Sequence, residues 1–516
     1  GWVAGGLIAH MIVIGTVGFV LASSLLMVCV ARGFGSTRPL RDAGIALAIY
    51  LKKAGITDFV ILEKAAGIGG TWRENTYPGA ECDVPSALYS FSFEHNAEWQ
   101  YKWAEQCQIL DYLHHVCDKH ELNAHIRFGQ EVAAATWDEK VQHWHVETHQ
   151  DLALHCQFLV SAVGQLHHPA IPALANETAF RGPHFHSAQW RHDVDLSGKN
   201  VAVIGNAASA LQFIPQIATS AGRLTVFQRS PNWVLPKMDR PYRTWEQWLS
   251  EKLPVVTKIY RLRLWLLGEL VLFPLMRGNR LMAAWARWRA RRYIASRIAD
   301  PALREKLLPD YPVGAKRILF SDNYFDALAR ANVEVVTTPI AGLCESGVIC
   351  TDGSEVPADV LIYGTGFKTN PFLAPMAIRG EGGKLLADTW GQGAHAYLGI
   401  TTSGFPNLFM MYGPNTNLGH NSIVIMLEAQ ARYIVQCLQG LAARNAVALD
   451  VRSEVEAAYN DRLQARLAGM AWSQIETSWY MDGGRITNNW AGSTCEYLRL
   501  CRRVDWTDFK ILKAAS

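Results

Sequence analysis

Arg229 ends a predicted strand and lies 19 residues after a short turn that is rich in small residues. The turn reads Gly205, Asn206, Ala207, Ala208, Ser209 and Ala210. In dinucleotide-binding folds the residue about 20 positions past the turn contacts the adenosine ribose. An acid there would repel a 2′-phosphate, whereas Arg can bind it through two hydrogen bonds. The pattern predicts an NADPH site formed by the turn and Arg229, although Arg229 taken alone is more simply a solvated cation.

A second candidate nucleotide site has an acid at the same spacing. Glu63 ends a predicted strand 19 residues after Gly44, and a carboxylate there is typical of the group that binds ribose hydroxyls. If Gly44 is the third glycine of a GxGxxG turn, the first two places hold Pro39 and Arg41, and a bulky Arg keeps the backbone away from a pyrophosphate. A second register, with residues 31–36 as the turn, needs about eight extra residues in a βα loop that usually has 2–6. Both registers, and a glycine-bearing loop without nucleotide, remain open.

Lys316 and Arg317 form a cationic pair within the stretch from Val313 to Leu319. Fixed positive charge stabilises an anion at a reacting centre from which water is excluded. Arg suits this role because it stays charged and presents a rigid fork of donors. Without further context, an ordinary surface Lys-Arg pair is the simpler interpretation.

The elements that must position these residues are predicted from apolar runs. Residues 201–204 and 224–227 are predicted strands on either side of a helix that runs from Leu211 to Ile217. The other site has a helix from Ile45 to Leu51, closed by Lys52 and Lys53, and a buried strand at 59–62. These units predict an α/β fold, and 516 residues predict two or three domains.

Composition excludes several classes of protein. A net charge of +3 and a charged fraction of 18% are not typical of a nucleic-acid-binding protein. The 10 cysteines contain no CxxC pair, which favours reduced thiols in a cytoplasmic protein over a disulfide scaffold or a zinc site. No metal site is predicted, and the sequence does not indicate an oligomeric state.

The first 31 residues carry no charge, and this run is long enough to cross a bilayer that needs about 20 apolar residues. A membrane anchor, an altered gene start, and an ordinary buried strand with an extension remain comparable explanations. The helical stretch near 256–297 is rich in Leu, Trp and Arg, so that a membrane-surface patch or a substrate-access cap is also open there, with ordinary packing as the default. Membrane contact through either region is therefore an expectation to be examined.

Two longer motifs carry a family resemblance. The pattern FxGxxxHxxxWxxD precedes the turn at Gly205 and consists of Phe180, Gly182, His186, Trp190 and Asp193. The pattern GxWxxxxYPGxxxD lies between the two candidate turns and consists of Gly70, Trp72, Tyr77, Pro78, Gly79 and Asp83. Both resemble signatures of the type I Baeyer–Villiger branch of the flavin-dependent monooxygenases, over about residues 44 to 510. No metal-ligand or nucleophile chemistry explains the first pattern, so His186 is interpreted as a hinge and domain-coupling residue.

The resemblance implies two Rossmann-like dinucleotide-binding domains, with the FAD domain split in sequence by an inserted NADPH domain. It places the first part of the FAD domain at 44–178 and the NADPH domain at 179–350, with a helical insertion at about 240–300. The second part of the FAD domain, with a C-terminal loop that lines the substrate pocket, is placed at 351–516. Residues 1–43 are left as an apolar extension or an altered first strand and turn.

The resemblance also implies roles for individual residues. Arg317 is expected to stabilise a reactive peroxide anion on the flavin, with Asp83 orienting it beside the flavin ring. Lys316 is expected to join Arg229 at the NADPH phosphate. The remaining cofactor contacts are expected from Gly44, Glu63, Gly70, Thr71, Trp72, Asp83, Tyr89, Gly205, Asn206, Ala207, Ser209 and Gly366, the last within an element in which Gly364 occupies a usual Ala place.

The implied function is an FAD- and NADPH-dependent monooxygenase. In this reading a flavin C4a-peroxide transfers one oxygen atom from O2 to an apolar ketone or a soft heteroatom. The altered first turn leaves an alternative open: a flavin-poor or inactive homologue with a binding or membrane-associated role. An NADPH oxidase or reductase that couples poorly to oxygenation is a further alternative.

Overall fold

The computed structural model describes residues 43–475 and 480–513. The altered first turn and the uncharged run at 1–31 lie outside these residues, as do Ser478 and Trp479 of the C-terminal loop. None of the helices within the described ranges combines the length and the apolar character that a bilayer-spanning segment needs.

A five-stranded parallel sheet carries the turn at Gly205. Its three central strands are largely buried and contain Val, Ile and Leu, as is typical of parallel sheets covered by helices. Helix Ala208–Ile217 connects two of its strands, and helix Tyr324–Leu328 packs beside that helix. In spatial order the strands are Val333–Val336, Arg223–Phe227, Asn200–Ile204, Val360–Tyr363 and His184–His186.

The sheet extends past the domain boundary predicted at residue 350. Strand Val360–Tyr363 pairs in parallel with Asn200–Ile204 on one side and His184–His186 on the other. Residues 351–363 therefore lie with the predicted NADPH domain, because backbone pairing across the sheet joins elements that are distant in sequence. A small antiparallel sheet precedes this strand and contains Ile340–Cys344, Gly347–Cys350 and Glu355–Pro357.

Elements from both ends of the described chain pack together in the other domain. Strand Leu159–Ser161 pairs in parallel with Leu408–Met410, and helix Ala43–Lys53 packs on helix Ile423–Ala442. This arrangement is an FAD-type domain split in sequence. Its remaining sheets contain Ile61–Glu63 with Ile126–Phe128, and Ala377–Arg379, Val132–Asp138, His143–Thr148 and Ala153–Cys156. Helices Thr71–Glu74, Gln106–Lys119 and Leu386–Thr389 accompany them.

The helical insertion contains five α-helices. It begins after strand Val234–Leu235 and ends before strand Leu319–Phe320, which pair with each other in parallel. A π-helical turn, Gly268–Leu272, interrupts it. Its helices are Thr244–Lys252, Pro254–Leu267, Phe273–Met276, Arg280–Arg297 and Pro301–Lys306.

The C-terminal region completes the split domain. Helix Ile423–Ala442 begins after Ser422, whose hydroxyl caps it by accepting a hydrogen bond from the Val424 amide at 3.3 Å. Strand Ala446–Val451 pairs antiparallel with Phe509–Lys513. The other elements are helices Ser453–Leu467 and Thr494–Leu500 and the hairpin Met481–Asp482 with Arg485–Ile486.

Candidate active site and cofactor sites

The turn that begins at Gly205 leads into a helix whose first amides are free. Gly205 has φ +103°, and a Cβ there would lie 2.3 Å from the Gly364 carbonyl oxygen, so only glycine fits. Helix Ala208–Ile217 has exposed Ala207 as its N-cap and no side-chain capping bond. Free amides at a helix N-terminus are suited to bind a phosphate. The turn therefore fits the pyrophosphate of a dinucleotide.

The Asn206 side chain is occupied within the protein. Its amide donates hydrogen bonds to Gln228 Oε1 at 2.8 Å and to the Ser230 carbonyl at 3.0 Å. Asn206 therefore fastens the turn to the end of strand Arg223–Phe227. The Asn206 side chain therefore positions the turn beside the predicted nucleotide site. Ser209, the other predicted contact with a polar side chain, lies in the first turn of the helix near Tyr77.

Ala210 and Gly364 form a matched pair that the sequence did not predict. A Cβ on Gly364 would lie 2.9 Å from the Ala210 Cβ, closer than side chains pack. Ala210 occupies the usual third glycine place of the turn, and Gly364 occupies a usual Ala place. The Ala210 methyl therefore occupies the space that a side chain on Gly364 would need, and this contact sets the spacing between helix and sheet.

Arg229 and Lys316 bring two cations to the end of the same sheet. Lys316 Nζ donates to Ser230 Oγ at 2.9 Å and lies 4.5 Å from the centre of the Tyr311 ring. Burial lowers the pKa of Lys316, and the charge of Arg229 lowers it further. Arg229 is exposed. Two like charges held this close favour an anionic ligand between them, so the pair fits a 2′-phosphate.

Arg317 is paired with Asp83, as predicted. Its Nη2 atom lies 2.6 Å from each oxygen of the carboxylate. The Asp83 charge raises the pKa of Arg317, so the guanidinium remains a cation at every accessible pH. The two residues are 234 positions apart in sequence. The pair therefore joins the loop after the GxWxxxxYPGxxxD motif to the chain that follows the helical insertion.

Two tyrosines beside this pair were not among the predicted site residues. The side chains of Tyr412 and Tyr480 interact electrostatically with Arg317. Burial raises the pKa of Tyr480 to about 12 and raises that of Tyr412 further. Tyr412 donates to Asn417 Oδ1 at 2.8 Å. Both are neutral donors at neutral pH, and the only hint of them in the sequence is their position next to the loops at 413 and 478.

The GxWxxxxYPGxxxD motif links the two domains. Trp72 Nε1 donates to the Tyr89 hydroxyl at 3.2 Å, and the two rings meet edge to face with centres 5.6 Å apart. The Tyr77 hydroxyl donates to Gln212 Oε1 at 2.8 Å in helix Ala208–Ile217. The motif thus reaches both the pair of aromatic residues and the nucleotide-turn helix.

Two predicted cofactor residues, Gly70 and Gly366, border open space. Gly70 has φ +46°, and neither a Cβ on Gly70 nor one on Gly366 would meet another atom within 4 Å. Thr71 begins helix Thr71–Glu74, which has no side-chain cap at Gly70. Room beside flexible backbone with uncapped amides fits a bound cofactor.

Glu63 and Gly44 lie apart from the Arg317 centre. Glu63 ends strand Ile61–Glu63, and its Oε1 accepts a hydrogen bond from the Ala65 amide at 2.9 Å. A Cβ on Gly44 would lie 3.6 Å from the Ala162 Cβ, an ordinary contact distance. Among the residues described, no contact connects Glu63 with Asp83 or Arg317.

The FxGxxxHxxxWxxD motif is a structural junction. The buried His186 Nδ1 accepts a hydrogen bond from the Ala188 amide at 3.1 Å, and its ring lies 5.6 Å from the Phe367 ring. The Trp190 ring packs on Phe213 of helix Ala208–Ile217 at 5.3 Å. His186 therefore joins the edge of the parallel sheet to the segment that leads back to the split domain.

Comparisons with known proteins agree with this architecture. Residues 42–258 match the model of the pyridine nucleotide-disulphide oxidoreductase family. A Baeyer-Villiger monooxygenase of Streptomyces coelicolor is 41% identical over 94% of this chain and 92% of its own length.

Solved structures extend the likeness to cofactor-bound proteins. A steroid monooxygenase bound to NADP superposes with a TM-score of 0.82 at 31% identity, covering 92% of this chain and 98% of that one. An OTEMO complex with FAD and NADP gives a TM-score of 0.81 at 27% identity over 91% and 97% of the two chains. An enzyme of this kind uses O2 and a small organic substrate. With these relatives, the split FAD-type domain and the NADPH-type turn, the chain belongs to the Baeyer–Villiger family of FAD- and NADPH-dependent monooxygenases.

Proposed function

We propose that this enzyme inserts one oxygen atom beside the carbonyl of an apolar ketone, with Arg317 and Asp83 as the catalytic pair. The observation that carries the proposal is the contact at 2.6 Å between the Arg317 guanidinium and both Asp83 oxygens. Overall, a ketone, O2, NADPH and a proton give an ester, NADP+ and water. FAD, when bound and reduced by NADPH, supplies the activation of O2.

Arg317 stabilises negative charge on oxygen at the reacting centre. Its charge persists because Asp83 raises its pKa, and Tyr412 and Tyr480 lie nearby as neutral side chains. Asp83 orients the guanidinium so that the remaining N–H groups face the site. Fixed donors in a site with little water stabilise an anion far more than mobile ones do, because they need no reorganisation.

The remaining predicted contacts divide between the two cofactors. Arg229 and Lys316 bind the 2′-phosphate of NADPH, and Gly205, Ala207 and Ser209 bind its pyrophosphate. For FAD, Glu63 binds the adenosine ribose and Gly44 lies in the helix beside it. The residues that enclose the flavin are Gly70, Thr71, Trp72, Asp83, Tyr89 and Gly366.

We further propose that the domains are divided close to the predicted limits, with residues 351–363 assigned to the NADPH domain. The nine cysteines in the described part of the chain are free thiols, which supports function in a reducing compartment such as the cytoplasm.

The visible spectrum of the purified protein and its products test this function. We expect a flavin absorbance band, NADPH oxidation that depends on an apolar ketone, and an ester detected by mass spectrometry. A protein that stays colourless with added FAD would contradict the cofactor assignment. Oxidation of an alkyl sulfide with no ester formed from any ketone would instead assign heteroatom oxygenation.

A further inference from the structure

Exposed apolar side chains are concentrated on the helical insertion. Large apolar side chains that are exposed singly are normal on protein surfaces, but a cluster of them marks an interaction site. Of seventeen such side chains in the described residues, eleven lie between Met238 and Trp288. These are Met238, Trp245, Trp248, Leu253, Val255, Leu262, Leu267, Leu270, Leu281, Trp285 and Trp288.

The same segment is strongly cationic. Residues Thr244 to Arg297 contain eleven Lys and Arg against three Glu, a net charge of +8 in a chain whose total is +3. The rest of the protein is therefore net negative. Two copies of this cationic segment repel each other, so pairing of the segment with the same segment of a second copy is disfavoured. An anionic surface is favoured.

Helix Arg280–Arg297 presents an apolar stripe to solvent. Its buried residues are Ala286, Ala290, Tyr293 and Ile294. On the opposite side Leu281, Trp285 and Trp288 follow one another at helical spacing and are 78%, 44% and 54% exposed. The Arg292 guanidinium lies over the Trp288 ring at 5.7 Å, and Arg291 beside it is exposed. Within residues 43–475 and 480–513, packing of the fold leaves this stripe largely exposed.

Helix Pro254–Leu267 has an inverted pattern of burial. It buries Thr257 and Arg261 and exposes Val255, Leu262 and Leu267. Arg261 donates to the carbonyl oxygen of Ser90, at 2.9 Å, and to that of Ala87. A polar clamp thus holds the helix in place, and its outer apolar residues are left for another partner.

The clamp connects this surface to the active-site region. Ala87 and Ser90 flank Tyr89, which accepts the hydrogen bond from Trp72. One turn further along the same helix, the Trp265 indole donates to Thr494 Oγ1 at 2.7 Å in the C-terminal region. The inner side of the insertion therefore contacts elements near the cofactor site, and its outer face is exposed.

We propose that this outer face of residues 244–292, the insertion face, docks on a bilayer that contains anionic phospholipids. Its Trp and Leu side chains enter the boundary between headgroups and acyl chains, and its Arg and Lys side chains bind lipid phosphates. The helices lie along the surface. An apolar substrate concentrated in the bilayer would then reach the enzyme without crossing water. This consequence rests on the proposed function, whereas the docking does not depend on it.

Vesicle co-sedimentation of the full chain tests the docking. We expect binding to phosphatidylcholine vesicles that contain phosphatidylglycerol, weaker binding without it, and loss of binding at high salt. The double variants Trp285→Ser/Trp288→Ser and Arg291→Glu/Arg292→Glu should each lower the partition coefficient by about tenfold or more. Matched controls are Leu500→Ser and Arg502→Glu/Arg503→Glu, exposed residues outside the insertion, which should bind like the parent.

Two results would overturn the docking. One is that the parent protein does not bind anionic vesicles. The other is that the insertion-face variants bind anionic vesicles as well as the parent does. This includes the case in which the variants differ from the parent only by loss of self-association, as seen by sedimentation. Flavin absorbance and NADPH oxidation with a water-soluble ketone report folding and the proposed activity separately, so failure of the docking is distinguishable from failure of the proposed function.

Discussion

Lys316 and Arg317 are neighbours in sequence, yet they serve opposite electrostatic environments. Arg317 faces the Asp83 carboxylate, which raises its pKa. Lys316 faces away from this centre toward Ser230, and burial and the charge of Arg229 lower its pKa. One cation is balanced by an acid, and the other stands beside a second cation.

A protein can separate two uses of positive charge by the partner that it places beside each cation. A carboxylate partner fixes the direction of a guanidinium and keeps it charged, which suits a catalytic group that must not move. Two neighbouring cations form a site whose repulsion is relieved when a phosphate binds. Substitutions at the Arg317–Asp83 pair or at the Arg229–Lys316 pair should therefore impair one site and leave the other intact.

Arg317→Ala should have the largest effect. Loss of a fixed cation at the reacting centre is expected to reduce ester formation by about a hundredfold to a thousandfold. NADPH should still reduce the flavin, because Arg229 and Lys316 remain. Product analysis by mass spectrometry, run beside stopped-flow flavin reduction, measures the two effects. Ester formation at the parental rate would remove Arg317 from catalysis.

Arg229→Ala and Lys316→Ala should each impair only the binding of the NADPH 2′-phosphate. We expect KM for NADPH to rise by about tenfold to a hundredfold, since charge-assisted hydrogen bonds to the 2′-phosphate are lost. KM for NADH should change little. Steady-state kinetics with both coenzymes provides the internal control, and an equal loss for both would argue against a 2′-phosphate contact.

Gly364→Ala should disturb the packing of the nucleotide-binding turn that begins at Gly205. The added methyl would lie 2.9 Å from the Ala210 Cβ, and such overpacking is expected to cost about 1–2 kcal/mol of unfolding free energy. The double variant Ala210→Gly/Gly364→Ala moves the methyl across the contact and should recover most of the loss. Thermal unfolding of both variants measures this, and additive losses would show that the residues are not a compensating pair.

The smallest effect should be the pH dependence of NADPH binding. Because the pKa of Lys316 is lowered from the usual 10.5, its charge is lost at a lower pH than that of an exposed lysine. A bound phosphate favours the charged form, so KM for NADPH should rise as the pH increases through the lowered pKa. Lys316→Met should abolish this rise. Arg317 contributes nothing to it, since Asp83 raises its pKa.

Much of the fold was predictable because its elements are local. The helices at 43–53 and 208–217 and the strands at 200–204 and 223–227 follow from apolar periodicity and turn residues, whereas the helical insertion was implied by the family resemblance. The boundary at 350 was not predictable in this way. Strand Val360–Tyr363 joins the NADPH-type sheet through pairing with residues about 160 positions earlier, and periodicity carries no record of which strands pair.

The sequence by itself determined the types and spacings of the chemical groups: an Arg 19 residues beyond a turn of small residues, an acid at the same spacing beyond Gly44, and two family motifs. Only the tertiary structure decided which groups meet. Asp83 reaches Arg317 across 234 residues, and the Ala210 methyl fills the space that Gly364 leaves. The physical reason is that charge pairing and close packing act over a few ångströms in space, whereas sequence fixes distance only along the chain.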